Sequence, residues 1–345
     1  MKARWSRQAV WSAGLLLLGM AFLAGSAQGA YAISPLQLLR ILQDMVAGVA
    51  NPTPEHLVFA NIRLPRLLLG VAAGAGLGIA GALMQGLFRN PLADPGLIGI
   101  SSGSALAAAS FIVMGNLWFP DLPRSLGSWT LVSMAFMGGL VVTFLIYALA
   151  QSQGETRIGL MLLAGIAVNA LAGAGLGYLS FLATDEQLRN IQFWLLGSLG
   201  GARWSAVVLV GTIVFIATCA GLTLARPLNA IALGEAQAVL LGVDVERTKR
   251  RAIVVCALAV GAVTATTGAI GFIGLIAPHW VRMVAGPDHR IVLPGSALLG
   301  AALVLAADAV ARTAVKPAEL PLGVLTAFIG VPMFLFMLRH FRGRV

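Results

Sequence analysis

Long charge-free stretches dominate the hydrophobic pattern of the chain. Residues Val10–Ala24, Leu67–Leu83, Leu97–Val113, Leu131–Ala150, Ile158–Leu182, Val207–Leu224, Ile253–Ala265 and Val292–Ala307 contain no Asp, Glu, Lys or Arg. Their apolar positions run on without the alternation of a half-buried strand. A helix crossing a hydrocarbon core of about 30 Å needs about 17–25 such residues. Lipid offers the backbone no hydrogen-bond partner, so a spanning segment is a helix or a strand of a closed barrel, and barrel strands alternate over about 10 residues. The pattern therefore predicts an all-α polytopic membrane protein with about ten transmembrane helices, near 9–30, 65–87, 95–115, 128–150, 158–183, 204–225, 251–268, 272–286, 291–312 and 321–340.

Turn residues punctuate the spans. Pro35, Pro52 and Pro54 mark a first outer loop; Asn90-Pro91 through Asp94-Pro95-Gly96 and Gly286-Pro287-Asp288 mark inner turns. The polar segment Thr184–Arg203, with Phe193-Trp194-Leu195-Leu196, reads as a short interfacial helix with an aromatic anchor. No fixed-period repeat or charged tail is present. Residues 1–345 form one membrane domain, with outer loops near 31–64, 184–203 and 312–320 and an inner loop near 226–250.

Small residues recur at helical spacing. Gly70, Gly74, Gly78, Ala82 and Gly86 make a smooth stripe in the second span, and Gly165, Asn169, Gly173 and Gly177 make one in the fifth. Such stripes let helices approach closely; they also suit a pore lining. Asn169, inside a span, is expected to face protein or a wet cavity. Thr267–His279, with Gly268, Gly271, Gly274 and Pro278, reads as a broken span whose half-helices line a path or form a docking surface.

Composition sharpens the picture. Apolar residues make up 59% and charged residues 10%, where a soluble domain carries about 25% charged residues. The net charge of +10 does not signal nucleic acid, because the basic residues alternate with the spans. With both termini in the cytoplasm, Lys2, Arg4, Arg7, Arg89, Arg157, Arg226, Arg247, Lys249, Arg250, Arg251, Arg282, Arg290, Arg339, Arg342 and Arg344 fall inside. Arg40, Arg63, Arg66, Arg124, Arg189, Arg203, Arg312 and Lys316 fall outside, so the positive-inside rule favours this orientation. Lys2, Arg4 and Arg7 before an apolar run imitate a cleaved leader; the run is expected to stay as the first span. Cys219 and Cys256 lie in apolar blocks and read as packing residues.

Little in the chain suggests catalysis. Gly99-Ile100-Ser101-Ser102-Gly103 fits a nucleophile-elbow pattern, and His279 and Asp308 would complete a triad, but the pattern opens an apolar helix, where Ser101 or Ser102 serves better as a cap. Asn90-Pro91-Leu92 is a single channel-like triplet. His56, His279, His289 and His340 lack metal-ligand spacing, and no metal or cofactor site is expected. Asp308 and Arg312 stand four apart, an ion pair on one helix face. That pair either anchors the helix end or leaves Arg312 facing outward with Arg63 and Arg66, which flank Leu64-Pro65 where Pro65 opens the second span; three arginines at one mouth would attract an acidic partner. Gly234 and Gly242 bracket about two turns of helix that leave apolar residues in a cytoplasmic loop, the mark of a protein partner. No lysine stands in a Walker context, so ATP and Mg would be bound by another subunit.

Arg63-Leu64-Pro65-Arg66, the run Gly81 to Gly96, the inner loop, Gly271 to His279, Gly286 to Arg290, and Pro317 to Gly323 together resemble the FecCD-type permeases of bacterial ABC importers. The resemblance covers nearly the whole chain. It implies a type II importer permease in the bacterial inner membrane: a homodimer around a central path, two cytoplasmic ATPases below and a periplasmic binding protein above. Arg63, Arg66 and Arg312 then match positions that grip the binding protein. Gly234, Glu235, Ala236, Gln237, Ala238, Val239, Leu240, Leu241 and Gly242 match the coupling helix, and Asn90 and Leu92 lie near the inner gate. Ile158 and Gly159 depart from the small hydroxyl residues expected of a cobalamin importer. That departure disfavours vitamin B12; haem is the preferred cargo, narrowly ahead of a ferric siderophore. A stand-alone secondary transporter or channel is the rival; it would need intramembrane ionisable groups, and Asp308 alone comes close.

Overall fold

The fold, seen in a computed structural model, is described for residues 5–29, 33–47, 53–122, 124–315 and 318–342. Lys2, Arg4, Lys316, Arg344 and parts of the outer loops 31–64 and 312–320 lie outside the described residues. The helices are α1 (Arg7–Ala27), α2 (Pro35–Ala47), α3 (Pro54–Val58), α4 (Leu64–Leu87), α5 (Ile100–Trp118), α6 (Arg124–Leu149), α7 (Ile158–Leu182) and α8 (Asp185–Leu196). They continue as α9 (Trp204–Thr223), α10 (Ala225–Ala232), α11 (Glu235–Leu240), α12 (Val245–Thr267), α13 (Ile273–Ala285), α14 (His289–Thr313) and α15 (Leu322–Arg342). A two-stranded antiparallel hairpin, β1 (Gln151–Ser152) and β2 (Glu155–Thr156), precedes α7. Among the described residues 7 helices are long and apolar enough to cross a membrane, and the shorter apolar helices Ile100–Gly115, Ile273–Ala285 and Leu322–Phe336 account for the remaining expected spans.

The core sits around α4, whose apolar stretch is 78% buried, and the buried parts of α12 and α14. Glycine makes this possible. A Cβ on Gly74 would come within 2.3 Å of the Gly300 carbonyl, and one on Gly78 within 2.1 Å of the Ser296 carbonyl. The stripe of the second span is thus the seam between α4 and α14. The stripe of the fifth span is divided: a Cβ on Gly165 would strike the Leu97 carbonyl, but Gly173 and Gly177 face open space. The outer helices α1, α6, α7 and α9 are only 17–22% buried over their apolar windows, leaving faces for lipid or a partner.

Several expectations change in detail. Pro65 stands in the first turn of α4, as expected, but the helical run extends upstream to Pro54 through a π-turn over Phe59–Arg63. Leu64 N–H donates to Phe59 O, five residues back. Pro65 has no N–H for the Ala60 carbonyl in that register, and the Trp204 indole N–H takes it at 3.1 Å. Gly99, at φ 81°, stands at the N-cap of α5, so neither Ser101 nor Ser102 caps it. The expected pair of half-helices is one short helix: α12 runs a full 23 residues and α13 only 13, about 20 Å at 1.5 Å per residue. The break between them is covered by protein. Ser198 N–H donates to Thr267 O at 2.7 Å, and Gly268 and Gly323 admit the Trp194 and Leu196 carbonyls at close range. The inner loop is mostly helical, and α12 begins at Val245, well before the expected start near 251.

The polar segment after the fifth span folds as α8, with a capping box in which Thr184 and Gln187 exchange side-chain-to-backbone hydrogen bonds.

Candidate functional sites at the two membrane faces

At one end of the bundle, α1, α4 and α14 converge on a set of four charged side chains. Arg66 Nη2 is 2.8 Å from Asp308 Oδ1 and 2.9 Å from Glu319 Oε2, and Arg312 Nε is 3.0 Å from Asp308 Oδ2. Two cations and two anions balance, which is what permits Asp308 to be buried. The pair expected between Asp308 and Arg312 is present, and Arg66 joins it.

Arg63 and Arg312 do not present their charge outward. Both are buried, and both serve the end of α1. Arg63 Nη1 donates to Ser26 O at 2.6 Å; Arg312 donates to Gln28 O at 3.0 Å and Gly25 O at 3.1 Å. The last carbonyls of a helix lack intrahelical donors and carry partial negative charge, so two guanidinium groups cap this end. Arg66 is the most accessible of the three, with 11% of its side chain exposed beside the half-exposed Glu319.

The triad suggested by the nucleophile-elbow pattern is not assembled. Asp308 is held by the two arginines, and Ser102 Oγ donates to Asn169 Oδ1 at 2.5 Å.

At the other face, α10, α11 and the start of α12 form a small module on its own apolar cluster of Ala230, Ile231, Ala238 and Val245. Gly234 (φ 128°) and Gly242 (φ 79°) bracket α11 in backbone conformations that favour glycine. Ala238 is packed inward, while Leu233, Val239, Leu240 and Leu241 are exposed, Leu240 at 87%. A polar or mobile loop would not place four apolar side chains in water.

The module is fastened by Lys249, which is 2% exposed. Its ammonium donates to Glu235 Oε2 (2.8 Å), Glu246 Oε1 (2.9 Å) and the Thr156 carbonyl (2.9 Å), using all three protons. Glu246 Oε2 in turn accepts from the Thr156 amide (2.9 Å) and hydroxyl (2.6 Å). One side chain thereby joins α11, α12 and the hairpin that leads into α7. A second tether runs from α10: Asn229 Oδ1 accepts from the His289 amide at 2.9 Å, and Asn229 Nδ2 donates to Asp288 Oδ1 at 2.6 Å.

Sequence reasoning counted Lys249 only as an inside charge and missed Thr156, Glu246 and Asn229. The available signal was a Glu and a Lys at i, i+3 in an otherwise arginine-rich stretch.

The expected gate residues fall in two places. Asn90 and Leu92 share the turn after α4, where Asn90 Oδ1 accepts from the Leu92 amide at 2.9 Å. Ile158 and Gly159 open α7, with Ile158 half-buried and Gly159 exposed. Asn169 links the two regions, because its Nδ2 donates to Gly96 O at 3.2 Å in the loop following Asn90. Each of its polar atoms has a partner within the protein, Ser102 on Oδ1 and Gly96 on Nδ2, while the side chain is half-buried. Within that loop burial raises the Asp94 carboxyl above its ordinary range, opposed by the Gly96 amide it accepts from at 2.7 Å.

On the other side of α4, Gln85 Nε2 reaches the Leu275 carbonyl at 3.2 Å, and its Oε1 accepts from Arg282, tying α13 to the core.

A bundle of apolar helices, with a charged cluster at one end and an exposed apolar face at the other, is the architecture of a polytopic membrane protein. The chain belongs to the FecCD transport family, which it matches over residues 15–340. It is 47% identical over 281 residues to the hemin transport system permease protein HmuU of Yersinia pestis, covering 81% of this chain and 83% of that one. It is 42% identical over 289 residues to the cobalamin import system permease protein BtuC of Halobacterium salinarum (84% and 75% covered). With the vitamin B12 import system permease protein BtuC of Shigella sonnei it shares 38% over 315 residues (89% and 93% covered). Among solved structures, a metal-chelate type ABC transporter in an inward-facing conformation superposes with a TM-score of 0.83 at 29% identity, covering 97% of this chain and 100% of the other.

Proposed function

We propose that this permease pairs with a second copy of itself to form the path of an ATP-driven importer for haem in the bacterial inner membrane. ATP and Mg are bound by two separate cytoplasmic ATPase subunits, and a periplasmic binding protein delivers the cargo. Both chain termini face the cytoplasm. The exposed apolar face of α11 carries this reading: in a chain without a Walker lysine it supplies a docking element for an engine. Identity to the hemin permease, higher than to the two cobalamin permeases, supports haem; a ferric siderophore and vitamin B12 are the alternatives.

ATP-driven closure of the ATPases moves α11, and Lys249 passes the displacement to the hairpin before α7, whose first turn holds Ile158 and Gly159. Asn169 carries the shift to the Asn90–Gly96 turn. The partners act by binding the outward and inward states with different affinity. At the outer face Arg66 and Glu319 meet the binding protein, with Arg63 and Arg312 bracing the helix ends behind them.

The test is uptake into vesicles reconstituted with permease, ATPase and binding protein, offered haem, a ferric siderophore or cobalamin. Haem uptake that requires ATP is expected. Uptake by the permease alone would remove the ABC reading; cobalamin or siderophore uptake in place of haem would change only the cargo.

A further inference from the structure

A cavity of about 570 Å³ opens where α1, the α9–α10 junction and the start of α14 meet. Its wall carries Arg7, Arg226 and Arg290, one from each of three elements, beside Trp11, Leu222 and Pro294. Arg7 and Arg290 stand in the first turns of their helices, and Leu222 lies in the last turn of α9. All three spans therefore end at this level, the boundary between headgroup and hydrocarbon on the face that bears α11.

None of the three arginines forms an ion pair among the described residues. Arg7 lies over the Trp11 ring at 4.4 Å. Asp288 is close enough for Arg290 to influence its charge, but its carboxylate already accepts from Asn229 and from the Arg290 amide. Three arginines thus line one concave, half-open site, beside the apolar side chains of Trp11, Leu222 and Pro294.

We propose that this cavity binds the anionic headgroup of an inner-leaflet phospholipid, with Arg7, Arg226 and Arg290 on the phosphate and Trp11, Leu222 and Pro294 against the glycerol and upper acyl chains. Guanidinium forks suit phosphate oxygens, and Trp favours the interfacial level. A lipid held here would bridge α1 to the α10 module, next to the Asn229 tether. Only the naming of the leaflet rests on the transport reading above.

The experiment compares the purified permease with the R7Q/R226Q/R290Q variant by native mass spectrometry. Each is incubated with equal amounts of palmitoyl-oleoyl phosphatidylglycerol and phosphatidylcholine. Phosphatidylglycerol is expected to be retained preferentially by the original protein, with affinity falling roughly fivefold for each arginine removed. R203Q, at the opposite face, is expected to leave retention unchanged.

Equal retention by the triple variant, or no preference for phosphatidylglycerol, would overturn the assignment. So would displacement of the lipid by inorganic phosphate at matched concentration, which would mark a small-anion site. If the triple variant does not fold, R226Q alone at its exposed position decides the matter by the same measure. ATP-driven uptake with the same variants, assayed in parallel, separates failure of this site from failure of the transport reading.

Discussion

Lys249 Nζ stands 2.8 Å from Glu235 Oε2 and 2.9 Å from the Thr156 carbonyl, so the first residue of α11 and the hairpin before α7 share one buried ammonium. The two elements are remote in sequence, and this side chain bonds to both. An apolar α11 can dock an ATPase, but without a stiff connection its motion would be lost in the loop.

Replacing Lys249 with Met should leave two carboxylates without their cation and free the hairpin from α11. We expect uptake to fall at least about tenfold, equivalent to about 1.4 kcal/mol of lost coupling, while ATP hydrolysis by the complex persists. K249R, which keeps the charge, should retain part of the activity. Parallel assays of hydrolysis and uptake check this; an unaltered ratio would show that Lys249 is structural only.

Leu240 is the most exposed of the apolar residues on the α11 face. L240D should weaken co-purification of the ATPase without lowering the melting temperature of the permease, because no core contact is lost. Pull-down against a tagged ATPase, read beside a melting curve, separates the two effects.

Asp308 is buried between Arg66 and Arg312. D308N leaves two guanidinium groups partly uncompensated, and breaking a buried pair in this way costs about 3–5 kcal/mol. Arg66 and Arg312 should differ. R312A removes one of the two caps on α1 as well as a partner of Asp308 and should lower the melting temperature more; R66A should lower it less, and in addition reduce binding-protein affinity and its salt dependence. Thermal melts and binding titrations at two ionic strengths test the contrast.

Gly81 faces the backbone of α13, where a Cβ would lie 1.8 Å from the Gly274 carbonyl; Gly173 has nothing within 4 Å. G81A should destabilise the fold by about 1–3 kcal/mol, as overpacking does. G173A should change stability by no more than about 0.5 kcal/mol. Melting in detergent provides the comparison.

Asp288 caps α14 from outside the span. Burial alone would raise its carboxyl, but the Arg290 amide, Asn229, and the charges of Arg290 and His289 outweigh that and hold it below the ordinary range. A depressed folded value means stability that is present above the unfolded value, about 3.9, and is lost as pH falls through the folded one. The melting temperature should drop on acidification below about pH 4, and D288N should show a smaller drop. Identical acid slopes for the two proteins would exclude the contribution.

The spans were legible because lipid imposes one rule on every residue that enters it: apolar side chains and an internally satisfied backbone. That rule is local, so the blocks from Val10 to Ala307 announce themselves without reference to any neighbour. The glycine brackets of α11 and its apolar residues were readable for the same reason. Gly234 and Gly242 act through their own φ angles, and Leu240 has no inward partner to hide it.

What sequence left open concerned partners far apart along the chain. Nothing within reach of Lys249 in sequence says that Thr156 is its acceptor, and nothing beside Arg63 or Arg312 says that each caps the end of α1. By itself the sequence determined the environment each segment must occupy, since solvation is decided residue by residue. The tertiary structure decided which charges are spent inside the protein and which remain for others, because that depends on distances no linear spacing contains.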